Sequence, residues 1–255
     1  MSRLIEESRA GPRVRLKTRG LSNFRLKVIG LVLVLLSALG STVVRHGMPV
    51  DLNTADFSQL TTAVVLQLVS WMAFPIYAWL VFDGFAHTSN RWAYGVRLAI
   101  LAVVSEVPYD LATSGKVWDL SSQNPVFALV VCLVVLCLVD RFKCRGGAGS
   151  LPLIILVILA GVVWLGFFNV ALRLGVMPGG ILLLVFCLIF YFFDGRDTVM
   201  QWVAAIVGAL AVVLPAFGVV ILHFRNGEPG VRHPGQRYVF YILYPLCLLL
   251  LALVR

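Results

Sequence analysis

The sequence predicts an all-α, polytopic integral membrane protein of about eight transmembrane helices. Three observations lead there. Hydrophobic residues make up 60% of the chain and charged residues 13%, whereas soluble domains run near 45–50% and 25%. The apolar residues gather in runs of roughly twenty, the length a helix needs to cross the hydrocarbon layer. The 21 Lys and Arg outnumber the 12 Asp and Glu, and they fall between the apolar runs and in the N-terminal tail. That placement makes the lipid bilayer, with its anionic headgroups, the partner and excludes nucleic acid. The 255 residues suit a basic cytoplasmic tail over 1–25 and a single transmembrane domain over 26–255, with no room for a sizeable soluble domain as well.

The elements follow in order. Met1 to Lys27 holds eight Lys or Arg and too few apolar residues for a core, so it reads as a lipid-touching tail that sets orientation. The run VIGLVLVLLSALGSTVV is too long for a signal-peptide core and reads as the first span. Spans are expected at 26–44, 60–82, 96–112, 125–140, 151–171, 179–193, 199–221 and 238–254. Counted on that topology, 15 Lys and Arg lie on the N-terminal side and 6 on the other, which predicts both termini in the cytoplasm and the protein in the inner membrane. The sixth span is short, and Met177-Pro178-Gly179-Gly180 before it suits a tilted or broken helix; if that span fails, the last two reverse. Pro215 is expected to kink the seventh, since it removes a backbone donor and crowds the preceding turn.

Polar groups inside apolar runs carry the chemical information, because a charge at mid-bilayer costs several kcal/mol unless it faces a polar interior. Glu106, Tyr109 and Asp110 in SEVPYDL stand at i, i+3 and i+4 and share a helix face, which suits either a hydrated pocket or pairing with a neighbouring helix. Gln67 and Asn169 read as interhelical hydrogen-bond partners. Phe74 to Leu98 gathers polar groups where two apolar runs meet: His87, Asn90, Arg91 and Tyr94 recur at i, i+3, i+4 and i+7, one helical face if the helix runs through. Arg91 and Arg97 either grip phosphates with paired donors or snorkel to lipid headgroups. His87 is a candidate proton acceptor or a solvated link residue. The link HFRNGEPGVRHPGQR is expected on the outer side, lining an entrance or merely connecting spans, although its three Arg run against the charge rule. Four of the five cysteines, Cys132, Cys137, Cys187 and Cys247, lie in apolar runs and Cys144 in a basic link, a spacing that matches no disulfide framework or zinc site. No metal is expected.

Four passages, SNFRLKVIGLVLVLLSALG, FPIYAWLVFDGFAHTSNRWAYGVRLAILAVVSEVPYDL, NPVFALVVCLVVL and RNGEPG with YVFYILYPLCLLLL, give the chain a resemblance to the TraX family, whose namesake acetylates the N-terminus of conjugative pilin. The resemblance implies an acyltransferase that draws an acyl group, acetyl in the first instance, from cytoplasmic acyl-CoA, and kinship with transmembrane acyltransferases that modify glycans and lipids. Asn90, Arg91 and Arg97 would then contact the CoA phosphates. Tyr109, Asp110, Asn124, Tyr244 and Cys247 would line the acceptor pocket. The chain departs from the family pattern at three places: Ser37-Ala38 stands where an Asp-His pair is usual, Glu106 where Gln is usual, and Cys247 where the terminal Tyr-Pro-x-His has its His. Acyl transfer needs a group to take the nucleophile's proton, and His87 and Glu106 are the catalytic candidates left, with His46 behind them. The acceptor, whether pilin-like protein, envelope glycan or lipid, is open. The alternatives are a catalytically silent relative that binds a lipid or partner protein, and a proton-coupled transporter using Glu106 and Asp110.

Overall fold

The computed structural model describes residues 20–45, 57–147, 149–173, 177–230, 235 and 238–254; the tail up to residue 19, His46, Arg232, His233 and Arg237 lie outside that set. Ten helices are described: α1 (Asn23–Arg45), α2 (Phe57–Ser70), α3 (Ala73–His87), α4 (Arg91–Thr113), α5 (Pro125–Arg145), α6 (Ser150–Phe167), α7 (Gly179–Phe192), α8 (Asp197–Val212), α9 (Leu214–His223) and α10 (Val239–Val254). A two-residue ladder, Leu172–Arg173 against Met177–Pro178, closes the link before α7. The architecture is an all-α bundle, as expected.

Four segments are long and apolar enough to cross a membrane: Asn23–Gly40, Thr61–His87, Pro125–Arg145 and Ser150–Phe167. The second is α2 and α3 in series, interrupted at Trp71–Met72. The helices α7 to α10 are apolar but shorter. At 23 residues α4 has the length to span, yet it carries Arg91, Arg97, Glu106 and Asp110, and so becomes the polar helix of the bundle. The outermost is α6, with 11% of its residues buried. Lipid is as apolar as a leucine side chain, so these helices associate through close packing and internal hydrogen bonds rather than by escaping solvent. Packing forms two clusters. One joins α3, α5 and α7 through Ile76, Phe82, Leu136, Leu184, Phe186 and Phe190. The other joins α1, α4 and α10 through Leu31, Ala38, Tyr109, Tyr244 and Leu248.

The expected seventh span is a helical hairpin, not one kinked helix. Helix α8 ends at Val213, a β-branched residue held at φ 71°, and α9 folds back alongside it. His223 Nδ1 at the end of α9 lies 2.7 Å from Gln201 Oε1 in the second turn of α8, and Arg225 pairs with Asp197 at 2.7 Å. Pro215, in the first turn of α9, has no N–H to continue α8 and disfavours helical backbone before it. Gly208 lets the two helices touch, since a Cβ there would sit 2.8 Å from the amide nitrogen of Ala216. At 16 residues α8 rises about 24 Å, short of the ~30 Å hydrocarbon layer. The hairpin therefore enters and leaves at one end of the bundle.

This reverses α10. Residues 21–24 zip onto 224–229: Leu21 N–H donates to Phe224 O at 2.8 Å, Asn226 N–H to Leu21 O at 3.0 Å, and Asn23 N–H to Glu228 O at 2.9 Å. Phe24 and Phe240 meet edge to face at 5.3 Å. The link after α9, expected at the opposite end, thus begins beside the start of α1, and α10 runs parallel to α1 and finishes at the other end. The expectation that the chain starts and finishes on one side is corrected accordingly, and Arg225, which ran against the charge rule, joins the other basic residues. Asn169 also departs from expectation. It follows α6 in the left-handed region at φ 50°, a conformation Asn tolerates, and its carbonyl accepts from Gln123 N–H at 3.4 Å. Gln67 does bridge helices, accepting from Ser37 Oγ at 2.6 Å.

Candidate functional site

A cavity of 260 Å³ lies where the two packing clusters meet, among α1, α2, α3, α4, α5 and α10, with Leu183 of α7 also in its wall. Its mouth is at the end of the bundle that holds the start of α1, and Asn23, Lys27, Asp83 and Tyr94 line it. Its walls are aliphatic and aromatic. Its floor holds Ser37, Gln67, Ser70 and Tyr244. Asp83 and Gln67 are 16 residues apart along α2 and α3, so mouth and floor are separated by roughly 24 Å.

At the mouth, α3 runs four residues past Asp83, one turn beyond the expected end of the span, and ends at His87. Asn23 Nδ2 donates to Asp83 Oδ2 at 2.7 Å. His87 Nδ1 lies 3.2 Å from the other carboxylate oxygen and 3.0 Å from the Asp83 carbonyl. Both neighbours of Nδ1 are acceptors, so in the neutral ring that nitrogen carries the proton, and Nε2 is the acceptor of a side chain that is 78% exposed. Asn23 Oδ1 is buried with no partner among the described residues. Gly84 admits the Tyr94 ring, which a Cβ there would meet at 2.8 Å.

The helix does not run through from His87 to Tyr94, so the expected common face does not form. Thr88 is extended at φ −86°, ψ 134°, and Asn90 starts α4 afresh by accepting from Ala93 N–H at 2.9 Å. Asn90 is thus an N-cap, the role this residue type favours. Arg91 lies over the Phe85 ring at 4.0 Å and pairs with Asp140 at 2.7 Å, while Tyr191 Oη donates to the other Asp140 oxygen at 3.1 Å. It ties α4 to α5 and α7. Arg97 is exposed, with Nε donating to Ala93 O at 3.1 Å.

Behind the floor, Asn124 organises a second polar group. Its Oδ1 accepts from Tyr244 Oη at 2.9 Å and from Val126 N–H at 3.1 Å, and its Nδ2 donates to Ser105 Oγ at 2.6 Å. Its own N–H donates to Glu106 Oε2 at 3.2 Å. Asp110 Oδ2 accepts from Asp119 N–H at 2.9 Å, while its Oδ1 is buried with no partner among the described residues. Tyr109 Oη lies 3.5 Å from Ser122 Oγ. In the link above them, hydrogen bonds from Ser121 hold the Asp119 carboxyl below its ordinary range. Cys247 is half-buried, one turn beyond Tyr244 on α10.

The structure therefore gathers Glu106, Tyr109, Asp110, Asn124 and Tyr244 at one end of the cavity, and His87, Asn90, Arg91 and Arg97 around the other. The two candidate bases do not meet, since Glu106 is 15 residues along α4 from Arg91, about 22 Å. Sequence reasoning passed over Asn23 and Asp83. The available signal was an acid inside the run AWLVFDGF, taken there as the end of a span.

The sequence model of the TraX family, described as TraX protein, matches residues 22–255. A probable fimbrial assembly protein FimC, serogroup H1, of Dichelobacter nodosus is 24% identical over 212 residues, covering 73% of this chain and 81% of that protein. No solved structure matches.

Proposed function

We propose, because the chain belongs to the TraX family, that it is a membrane acyltransferase that moves an acyl group from acyl-CoA to an amine or hydroxyl of a membrane or envelope acceptor. The observation that carries the reading is the pairing of Asp83 with His87 at the mouth of a deep cavity. In this proposal the mouth faces the cytoplasm, since basic residues gather at that end. Arg97, with Arg25 and Lys27 on α1, holds the CoA phosphates, and the thioester sits beside Nε2 of His87. As the acceptor's lone pair attacks the thioester carbonyl, its proton passes to Nε2. Collapse of the tetrahedral centre breaks the C–S bond, and the CoA sulfur takes that proton back. Asp83 keeps the Nδ1 tautomer in place and stabilises the imidazolium while it lasts. The reaction lies at the mouth, so Glu106 takes a structural part, accepting the N–H of Asn124, the N-cap of α5. The relative with a fimbrial-assembly name favours a pilin-like subunit as acceptor.

A second reading, a relative that binds lipid or thioester without turnover, draws on Ala38. Where the family usually has His, this side chain is fully buried among apolar neighbours. Binding and cleavage of radiolabelled acyl-CoA by the purified protein in nanodiscs separate the two. His87→Ala is expected to lower cleavage by about 10²–10⁴-fold with donor binding kept, and Arg97→Ala to weaken donor binding about tenfold. Wild-type protein of intact fold that binds donor but cleaves none supports the second reading; one that binds no donor sinks the first.

A further inference from the structure

We infer that the cavity is an acyl-chain tunnel, and that the donor is a medium- or long-chain acyl-CoA whose chain threads from the Asp83 mouth to the Gln67 floor. The inference rests on the acyltransferase reading and names the donor class. An acetyl group has one methyl to place beyond its carbonyl, and a hollow of 260 Å³ running roughly 24 Å into the bundle serves no purpose for it. The wall is what a polymethylene chain needs: Leu31, Val34, Leu80, Leu98, Leu101 and Leu129 line it. The aliphatic stretch between the two polar ends is the part that draws in an apolar chain.

The polar groups at the floor are turned on one another. Ser37 Oγ donates to Gln67 Oε1, Ser70 Oγ donates to the Gln67 carbonyl at 2.6 Å, and Tyr244 Oη donates to Asn124. A chain's methyl end can rest against these hydroxyls without taking their partners from them. The mouth differs. Asn23 Oδ1 is unsatisfied and can accept an N–H from the pantetheine arm, and Lys27 lines the opening, where the phosphates of the donor would lie. An ordinary phospholipid tail meets the same walls but brings no amide for Asn23 and a second chain with no place to go.

The test compares acetyl-, octanoyl-, dodecanoyl- and hexadecanoyl-CoA for binding to the full chain in nanodiscs, with dodecanoic acid and a labelled phospholipid as competitors. Leu101→Trp, which fills the tunnel midway, and Ser37→Leu, which raises its floor, are run beside the wild type after a thermal-melt check. Affinity is expected to rise at least tenfold from acetyl to dodecanoyl. In Leu101→Trp the optimum should shift to octanoyl or shorter with acetyl-CoA binding kept, and Ser37→Leu should trim the longest chain alone, which holds the inference open if one variant misfolds. Equal affinity for every chain length, with turnover intact, overturns the tunnel and leaves the transferase. Length-dependent binding lost in Leu101→Trp, without turnover of any thioester, keeps the tunnel and overturns the transferase. Displacement by the phospholipid but by no CoA thioester overturns the donor assignment.

Discussion

Asp83 and Asn124 show how one side chain can serve two elements at once. Asp83 holds Asn23 of α1 and His87 of its own helix, so it sets both the width of the mouth and the tautomer of the imidazole. Asn124 is fully buried and satisfies the start of α5 while it joins α4 to α10. Asn124→Ala removes the cap, the acceptor of the Tyr244 Oη bond and the donor to Ser105 Oγ. We expect a loss of about 2–3 kcal/mol, read as a lower melting temperature in detergent, whereas Asn90→Ala, which removes an exposed cap alone, is expected to lose about 1 kcal/mol. Equal shifts for the two would show that the Asn124 network carries no weight. The Glu106–Tyr109–Asp110 triplet was legible in the sequence because its i, i+3, i+4 spacing is local and the helix is continuous there. The Asp83–His87 pair has the same i, i+4 spacing and was missed, since the helix end had been drawn before it.

Among the elements, the α8–α9 hairpin is the one that hydropathy concealed. A run of apolar residues reads alike whether it crosses the bilayer or turns back within it, and Pro215 is compatible with a kink or a reversal. The reversal needs Val213 in the left-handed region, a backbone strain of about 1–2 kcal/mol for a β-branched residue. Val213→Gly is expected to raise stability by up to about 1 kcal/mol, the strain relieved less the greater freedom of glycine in the unfolded chain. Gly208→Val should do the reverse, since its side chain would meet the Ala216 amide and force the two helices apart. Thermal melts of both variants check the pair; a destabilised Val213→Gly would argue for a continuous seventh helix. The broken α2–α3 segment is the milder counterpart, interrupted at Trp71–Met72 yet keeping its direction, and the span expected over 60–82 lies within it but stops about one turn short of its end at His87.

At the scale of the molecule, fold class and most spans were readable because composition and run length are one-dimensional properties, whereas orientation depends on how many times the chain crosses, and one hairpin changes the parity. The consequence is measurable by cysteine accessibility in a cysteine-free background. Cysteines placed at Asp194 and at Glu228 are expected to react from one side of the membrane, and one at Lys116 from the other. Glu228→Cys labelling together with Lys116→Cys would restore the single seventh span and the original topology. The site follows the same logic. Its two polar groups sit at opposite ends of the bundle because α1, α4 and α10 run parallel, so that residues early in each helix converge at the mouth and later ones converge behind the floor.

The clasp between residues 21–24 and 224–229 also orders events in time. The backbone donors that lead into the first helix find their acceptors on chain that leaves the ribosome roughly 200 residues later. Until then those donors at the head of α1 are left to water, and the clasp stands open. Its closure marks the moment at which all but the last helix has been delivered.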